Sequence, residues 1–151
     1  MSKQLEQDVE ALRRVPLFAE VNTLTLKLLA FASERVSFPA RQDVVRQGEH
    51  GDAAYVLIDG VAEVFTEQGG VESKVAELSG HEFVGEISIL CNVPRTATVR
   101  AVTQLETLRI EKDQFFDLLE NSPVVAVQML RVLAERLAKT TADMATLRAS
   151  R

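Results

Sequence analysis

The chain has 151 residues, 46% of them hydrophobic, and a net charge of −5. That is the size and composition of one folded domain with a real core, and the acidic balance argues against direct binding to nucleic acid. No apolar run approaches the ~20 residues of a membrane span, Met1 to Gln7 lack a signal-peptide core, and the single Cys91 excludes an internal disulfide; the expected setting is reducing and cytoplasmic, without membrane insertion.

Residues 5–33 read as helical. Leu5, Val9 and Leu12 recur at helical spacing, Val15-Pro16 breaks the run, and Leu24, Leu28 and Phe31 resume it. Asn22 or Thr23 supplies an N-cap for the second segment. From Val36 to Ile110 short β-branched stretches alternate with Gly, Asp, Asn and Pro. Candidate strands are 42–46, 54–58, 61–66, 71–78, 97–102 and 105–110, with Gly69-Gly70 as a hairpin tip. Strands this short and dense indicate a sandwich or a barrel-like roll, interrupted by a short helix near Glu86–Leu90.

From Lys112 the pattern is helical again. Phe115, Phe116, Leu118 and Leu119 form a short amphipathic turn stopped by Asn121, and Ser122-Pro123 has the form of an N-cap with proline at the first helical position. The helix that follows is expected to reach about Leu147. Along it Leu130, Leu133, Leu137, Thr140, Met144 and Leu147 recur at alternating spacings of three and four, a heptad seam with one polar position. Such a seam either packs on the domain's own strands or pairs two chains. A stripe this narrow favours pairing.

The chemistry concentrates in Gly85-Glu86-Ile87-Ser88-Ile89-Leu90 and, just beyond, Arg95-Thr96-Ala97-Thr98-Val99. A glycine lets backbone N–H groups approach an anion, and a short helix starting there aims its positive end at it. The arginine offers a planar fork to a phosphate. A carboxylate would repel phosphate, so Glu86 needs another partner, for which a sugar hydroxyl is the obvious donor. Phosphate and ribose in one cradle point to a nucleotide.

This stretch resembles the phosphate-binding cassette of cyclic-nucleotide-binding domains. The pattern there is an apolar residue, Gly-Glu, an apolar residue, Ala or Ser, two apolar residues, a short loop, then Pro-Arg-small-Ala-x-Val. Val84 to Leu90 and Pro94 to Val99 follow it, with Val84 standing where the family usually has Phe. A second family signature lies upstream, at Gln47-Gly48-Glu49-His50-Gly51-Asp52-Ala53-Ala54-Tyr55-Val56-Leu57-Ile58-Asp59-Gly60. The resemblance covers about residues 10–147.

It implies an α+β, mainly β fold: an eight-stranded, jelly-roll-like β-roll with N-terminal helices, a short cassette helix and a long C-terminal helix. All of it belongs to a single domain over residues 1–151, with the helical N-terminal segment at about 5–33, the roll at about 36–110 and the C-terminal helices at about 112–147. It implies cAMP or cGMP as a ligand, with no cofactor. By resemblance Arg95 binds the cyclic phosphate, aided by the backbone N–H groups of Ile87 and Ser88, and Glu86 accepts the ribose 2′-hydroxyl. Gly85 permits the close approach, Val64 and Val84 form part of an apolar floor, and Ala97 completes the ligand-contacting set in the cassette. Thr96 reaches either the phosphate or the exocyclic amine of a syn purine.

The layout is most similar to the N-terminal sensor domain of the bacterial catabolite-activator branch. There a long helix after the roll pairs two subunits, and adjacent hydroxyl residues on it contact the purine. Thr140 and Thr141 hold the matching positions. They lean the ligand toward cAMP, while Thr96, common in cGMP-preferring members, keeps cGMP open. The other reading of these threonines is a bond to their own i−4 carbonyls. Ligand would couple to the position of this helix, which a partner domain or effector protein would feel. Because the chain stops at Arg151, with no room for a helix-turn-helix, the expectation is a stand-alone sensor or the regulatory part of something larger.

No enzyme is expected. A metal-dependent cupin needs several His or carboxylate ligands, and this chain has only His50 and His81, both expected in exposed loops. Nothing marks a base paired with Cys91, which reads as an ordinary small residue of the cassette loop. A roll that has lost its ligand and serves only dimerisation or protein interaction is the remaining alternative. The intact Glu86 and Arg95 argue against it.

Overall fold

The computed structural model describes residues 2–149; residues 1, 150 and 151, at the ends of the expected domain, lie outside the described residues. The Ser2 hydroxyl accepts the Leu5 N–H and starts α1, Lys3–Arg13, which buries Val9 and Leu12. Val15 ends the run, and Pro16–Phe18 forms a single 3-10 turn. Asn22 then caps α2, Thr23–Ala32, by accepting the Thr25 N–H at 2.8 Å. The apolar stripe expected to mark this helix does mark it, but from the outside. Leu26, Leu29 and Ala30 are the buried residues, while Leu24, Leu28 and Phe31 face solvent, Phe31 at 81% exposure. Both faces of α2 are apolar, so spacing located the helix without saying which side packs.

Eight strands follow: β1 Glu34–Phe38, β2 Asp43–Val45, β3 Ala53–Asp59, β4 Ala62–Gln68, β5 Val71–Leu78, β6 Phe83–Val84, β7 Thr98–Ala101 and β8 Leu105–Glu111. They form two four-stranded sheets ordered β1-β8-β3-β6 and β2-β7-β4-β5, antiparallel at every pairing. This is the expected β-roll. β1 and β6 are absent from the six strands read directly from residue pattern. β6 is only two residues long, and β1 carries Glu34 and Arg35, with Arg35 paired to Asp8 of α1 at 2.6 Å. The Gly69-Gly70 tip between β4 and β5 takes φ of +60° and +80°, the two positive angles that a two-residue hairpin turn requires.

The strands β3 and β8 serve two cores because alternate residues point to opposite faces. Ala54 and Val56, with Leu108 and Ile110, meet Leu12, Phe18, Phe115 and Val125 from the helices. Leu57 and Leu105 join Phe38, Ala62, Val84 and Val99 between the sheets. The cassette helix α3 is Glu86–Cys91, set at the junction of the two.

After β8 come α4, Lys112–Asn121, and α5, Pro123–Ala149. The Ser122 hydroxyl accepts the Val125 N–H at 3.4 Å and Pro123 takes the first helical position. Val125, Met129 and Leu133 pack on the helical side of the roll, while Leu130 and Leu137 of the seam turn away from it, each 68% exposed. Among the described residues no helix is long and apolar enough to cross a membrane.

Candidate functional site

The cassette opens on a turn that favours glycine. At Gly85, between β6 and α3, φ is +88° and a Cβ would sit 2.6 Å from Arg95 Nη1. α3 begins there with no side-chain cap, so its first backbone N–H groups, those of Ile87 and Ser88 among them, lack an intrahelical partner.

Arg95 is seated by the upstream signature. The Gly48 N–H donates to the Arg95 carbonyl and the Arg95 N–H donates to the Glu49 carbonyl, both at 2.8 Å. Gly51 leaves room for the side chain, since a Cβ there would lie 2.2 Å from the guanidinium carbon. The guanidinium donates to Ala53 O at 2.6 Å and to Gly85 O and Ser88 Oγ at 2.8 Å each, using three of its five N–H donors. All three acceptors are neutral. Burial pulls the Arg95 pKa down, opposed by Tyr55, Asp52 and Glu86, yet Asp52 and Glu86 are themselves ion-paired with Arg109 and Arg136. A cation only 7% exposed and resting on neutral oxygens is a site of positive potential that an anion would relieve.

Glu86, 3% exposed, sits at the start of α3. Its Oε1 accepts from Nη1 of Arg136, and Nη2 of the same arginine donates to Phe83 O at 3.2 Å. Arg136 comes from α5, fifty residues away, and ties that helix to the cassette.

These groups border one cavity of about 520 Å³. Val64, Val84, Gly85, Glu86, Ile87, Ser88, Arg95, Thr96, Ala97 and Thr140 all line it. Thr141, expected beside Thr140, does not. A helix advances ~100° per residue, and that step carries Thr141 onto the solvent face of α5. Residue pattern also missed Arg136, Lys139 and Asp143, which roof the cavity from α5. A signal was available for Arg136 and Asp143, which lie four positions before Thr140 and three after it, on the same side of the helix, but not for Lys139, one position before it.

Two further expectations meet the structure here. Cys91 is the exposed last residue of α3, an ordinary place for a small side chain. His81, expected in an exposed loop, is half-buried instead, with a left-handed φ of +74°. Its N–H donates to Leu57 O at 2.6 Å, which draws the loop onto β3. Among the described residues no cluster of His, Cys, Asp and Glu could hold a metal ion.

A β-roll with a Gly-Glu turn, a buried arginine and a helix across its mouth defines a class of ligand-sensing regulatory domains. The chain belongs to the cyclic nucleotide-binding domain family, whose model matches residues 35–122. It is 35% identical over 108 residues to a cAMP-dependent protein kinase regulatory subunit of Emericella nidulans, covering 72% of this chain and 26% of that protein. It is 29% identical over 139 residues to a CRP-like cAMP-activated global transcriptional regulator of Mycobacterium tuberculosis, covering 91% of this chain and 62% of the relative. The crystal structure of the Thermus thermophilus catabolite activator protein superposes with a TM-score of 0.79 at 29% identity, over 87% of this chain and 62% of that one. The chain thus spans about a quarter of the length of the kinase subunit and under two thirds of the two bacterial regulators.

Proposed function

We propose that the chain senses cAMP and transmits occupancy of its cavity through α5 to an effector, without catalysing a reaction. The observation that carries this reading is Arg95: a nearly buried guanidinium on neutral acceptors, beside a carboxylate, in a cavity of nucleotide size. A cyclic phosphate supplies the missing anion at Arg95, helped by the first N–H groups of α3. Glu86 keeps Oε1 on Arg136 and offers its other oxygen to the ribose 2′-hydroxyl. Val64 and Val84 lie under the sugar and base, with Ala97 and Thr96 beside them, and Thr140 meets the purine from α5. Two of the relatives are named for cAMP, which favours that base over cGMP.

The exposed side of α5 supports pairing with a second copy. Leu130, Leu137 and Met144 recur every seven residues and face solvent. Thr141 lies on this stripe, four residues from Leu137 and three from Met144, so a partner helix would cover it. The single unpaired cysteine suits a reducing, cytoplasmic setting.

Calorimetric titration with cAMP, cGMP and 5′-AMP tests the reading. cAMP is expected to bind at micromolar concentration or tighter, cGMP less well and 5′-AMP much more weakly. Arg95→Ala removes a charge-assisted contact and should weaken cAMP about 10- to 150-fold. No heat from any of the three with folded protein would leave the chain a ligand-free interaction module.

A further inference from the structure

The pairing of β7 with β4 ends at Phe65, opposite Thr98. β4 runs on to Gln68, and from Thr66 its strand partner is β5. The side chain of Gln47 supplies the other edge. Its Oε1 accepts the Glu67 N–H at 2.7 Å, and its Nε2 donates to the Glu67 carbonyl at 3.2 Å. One planar amide thus exchanges two bonds with a single residue of β4, as a residue of a neighbouring strand would. The main chain of Gln47 is fixed as well, its N–H donating to the Thr98 hydroxyl at 3.0 Å. The next two residues then seat the arginine, Gly48 donating to the Arg95 carbonyl and Glu49 accepting the Arg95 N–H. Gln47 therefore joins the end of β4, the start of β7 and the loop that holds Arg95.

Packing does not impose the shape of this loop at its first turn. Gly48 has φ of +86°, and nothing lies within contact of the place a Cβ would take. Further along, Gly51 has to stay where it is, because the Arg95 guanidinium fills the space its Cβ would occupy. We propose that Gln47 is a positioning residue for the ligand's phosphate: its amide clamps the loop to β4 and so keeps Arg95 seated. The residue type fits the task. A neutral amide places a donor and an acceptor side by side, whereas glutamate at neutral pH has no donor and asparagine is one methylene shorter. Without the clamp the loop samples more states and Arg95 is seated for a smaller fraction of the time. Apparent affinity falls by that fraction. The effect on affinity rests on the cyclic-nucleotide reading; the seating of Arg95 does not.

Two variants test the clamp. Gln47→Met keeps the length of the side chain and removes both bonds, and Gln47→Glu keeps an acceptor and removes the donor. Gln47 is exposed, so both should fold. In ligand-free protein, amide exchange followed by NMR should be about tenfold faster at Gly48 and Arg95 in Gln47→Met, with the β3–β8 ladder unchanged. Calorimetry should show cAMP weakened about 3- to 10-fold in both variants. In the Arg95→Ala background, Gln47→Met should change cAMP affinity by less than about 1.5-fold, because the side chain it seats is gone. A merely structural role would weaken both backgrounds alike. Native exchange at Gly48 and Arg95, native cAMP affinity in Gln47→Met, or an equal loss in the Arg95→Ala background would each overturn the proposal. Faster exchange at both amides in a protein that binds no cyclic nucleotide keeps Gln47 as the clamp on Arg95 and loses the sensor reading.

Discussion

Arg136 holds the link between cassette and helix in a single side chain. It spans from Glu86 to the Phe83 carbonyl, so it both orients the carboxylate and anchors α5. Removing it leaves Glu86, 3% exposed, without its cation and with one face of the roof unfastened. Arg136→Ala is expected to weaken cAMP roughly 5- to 10-fold, the scale of one charge-assisted bond reduced because Arg136 is itself half exposed. Arg136→Lys, which keeps the charge but cannot fork to both acceptors, should fall between. Calorimetry reads both, and an unchanged alanine variant would mean that the pair is a bystander. Glu86 and Arg95 were legible in the sequence because glycine, carboxylate and arginine sit within about fifteen residues and each residue type has a reason to be there. Arg136 was legible only through Thr140, four residues on along the same face, because its partner Glu86 lies fifty residues away in the chain. Gly51 stands in the sequence only as one glycine of the upstream signature. Its role, clearance for the Arg95 side chain, becomes visible only once β3 and the cassette are brought together.

At the scale of elements, α5 shows why a repeat pattern needs a structure to interpret it. The seam is present in sequence, and its spacing predicts a pairing surface. The structure divides the helix by face, with Val125, Met129 and Leu133 inward and Leu130, Leu137 and Met144 outward. The same division explains α2, whose Leu24, Leu28 and Phe31 stripe announced the helix and then faced solvent. β1 escaped a reading by β-branched content because it opens on two charged residues, Arg35 held by Asp8 and Glu106, and Glu34 facing Arg109. The outward face of α5 yields a direct test. Leu137→Glu places a charge in the middle of the exposed stripe and near its equivalent on a partner helix. Light scattering coupled to size exclusion is expected to show a dimer for the native chain and a monomer for the variant. Circular dichroism should show an unchanged fold, since Leu137 contributes nothing to either buried core. A native chain that is monomeric at all accessible concentrations would remove pairing as the role of this face.

Across the whole molecule the two halves of α5 are anchored very differently, and under the proposed function that difference would let a ligand be felt at a distance. The first half is fastened to the core that β3 and β8 share with the helices, through Val125, Met129 and Leu133. From Ala134 to Ala149 every residue is exposed, and Arg136 donates to the roll at Glu86 and Phe83. A helical segment of that length with so few contacts is marginal in water and opens locally at low cost. A nucleotide in the cavity would add contacts at Lys139, Thr140 and Asp143, which line it. In the Leu137→Glu background, where pairing cannot protect the helix, amides from about residue 137 onward should exchange nearly as fast as unfolded chain. Saturating cAMP should slow those up to Asp143 by at least about tenfold, leaving the residues beyond nearly unchanged. Slowing confined to the roll and the cassette, with α5 unaffected, would show that the ligand is held without the helix. The signal would then have to leave the domain through α3 or the N-terminal helices.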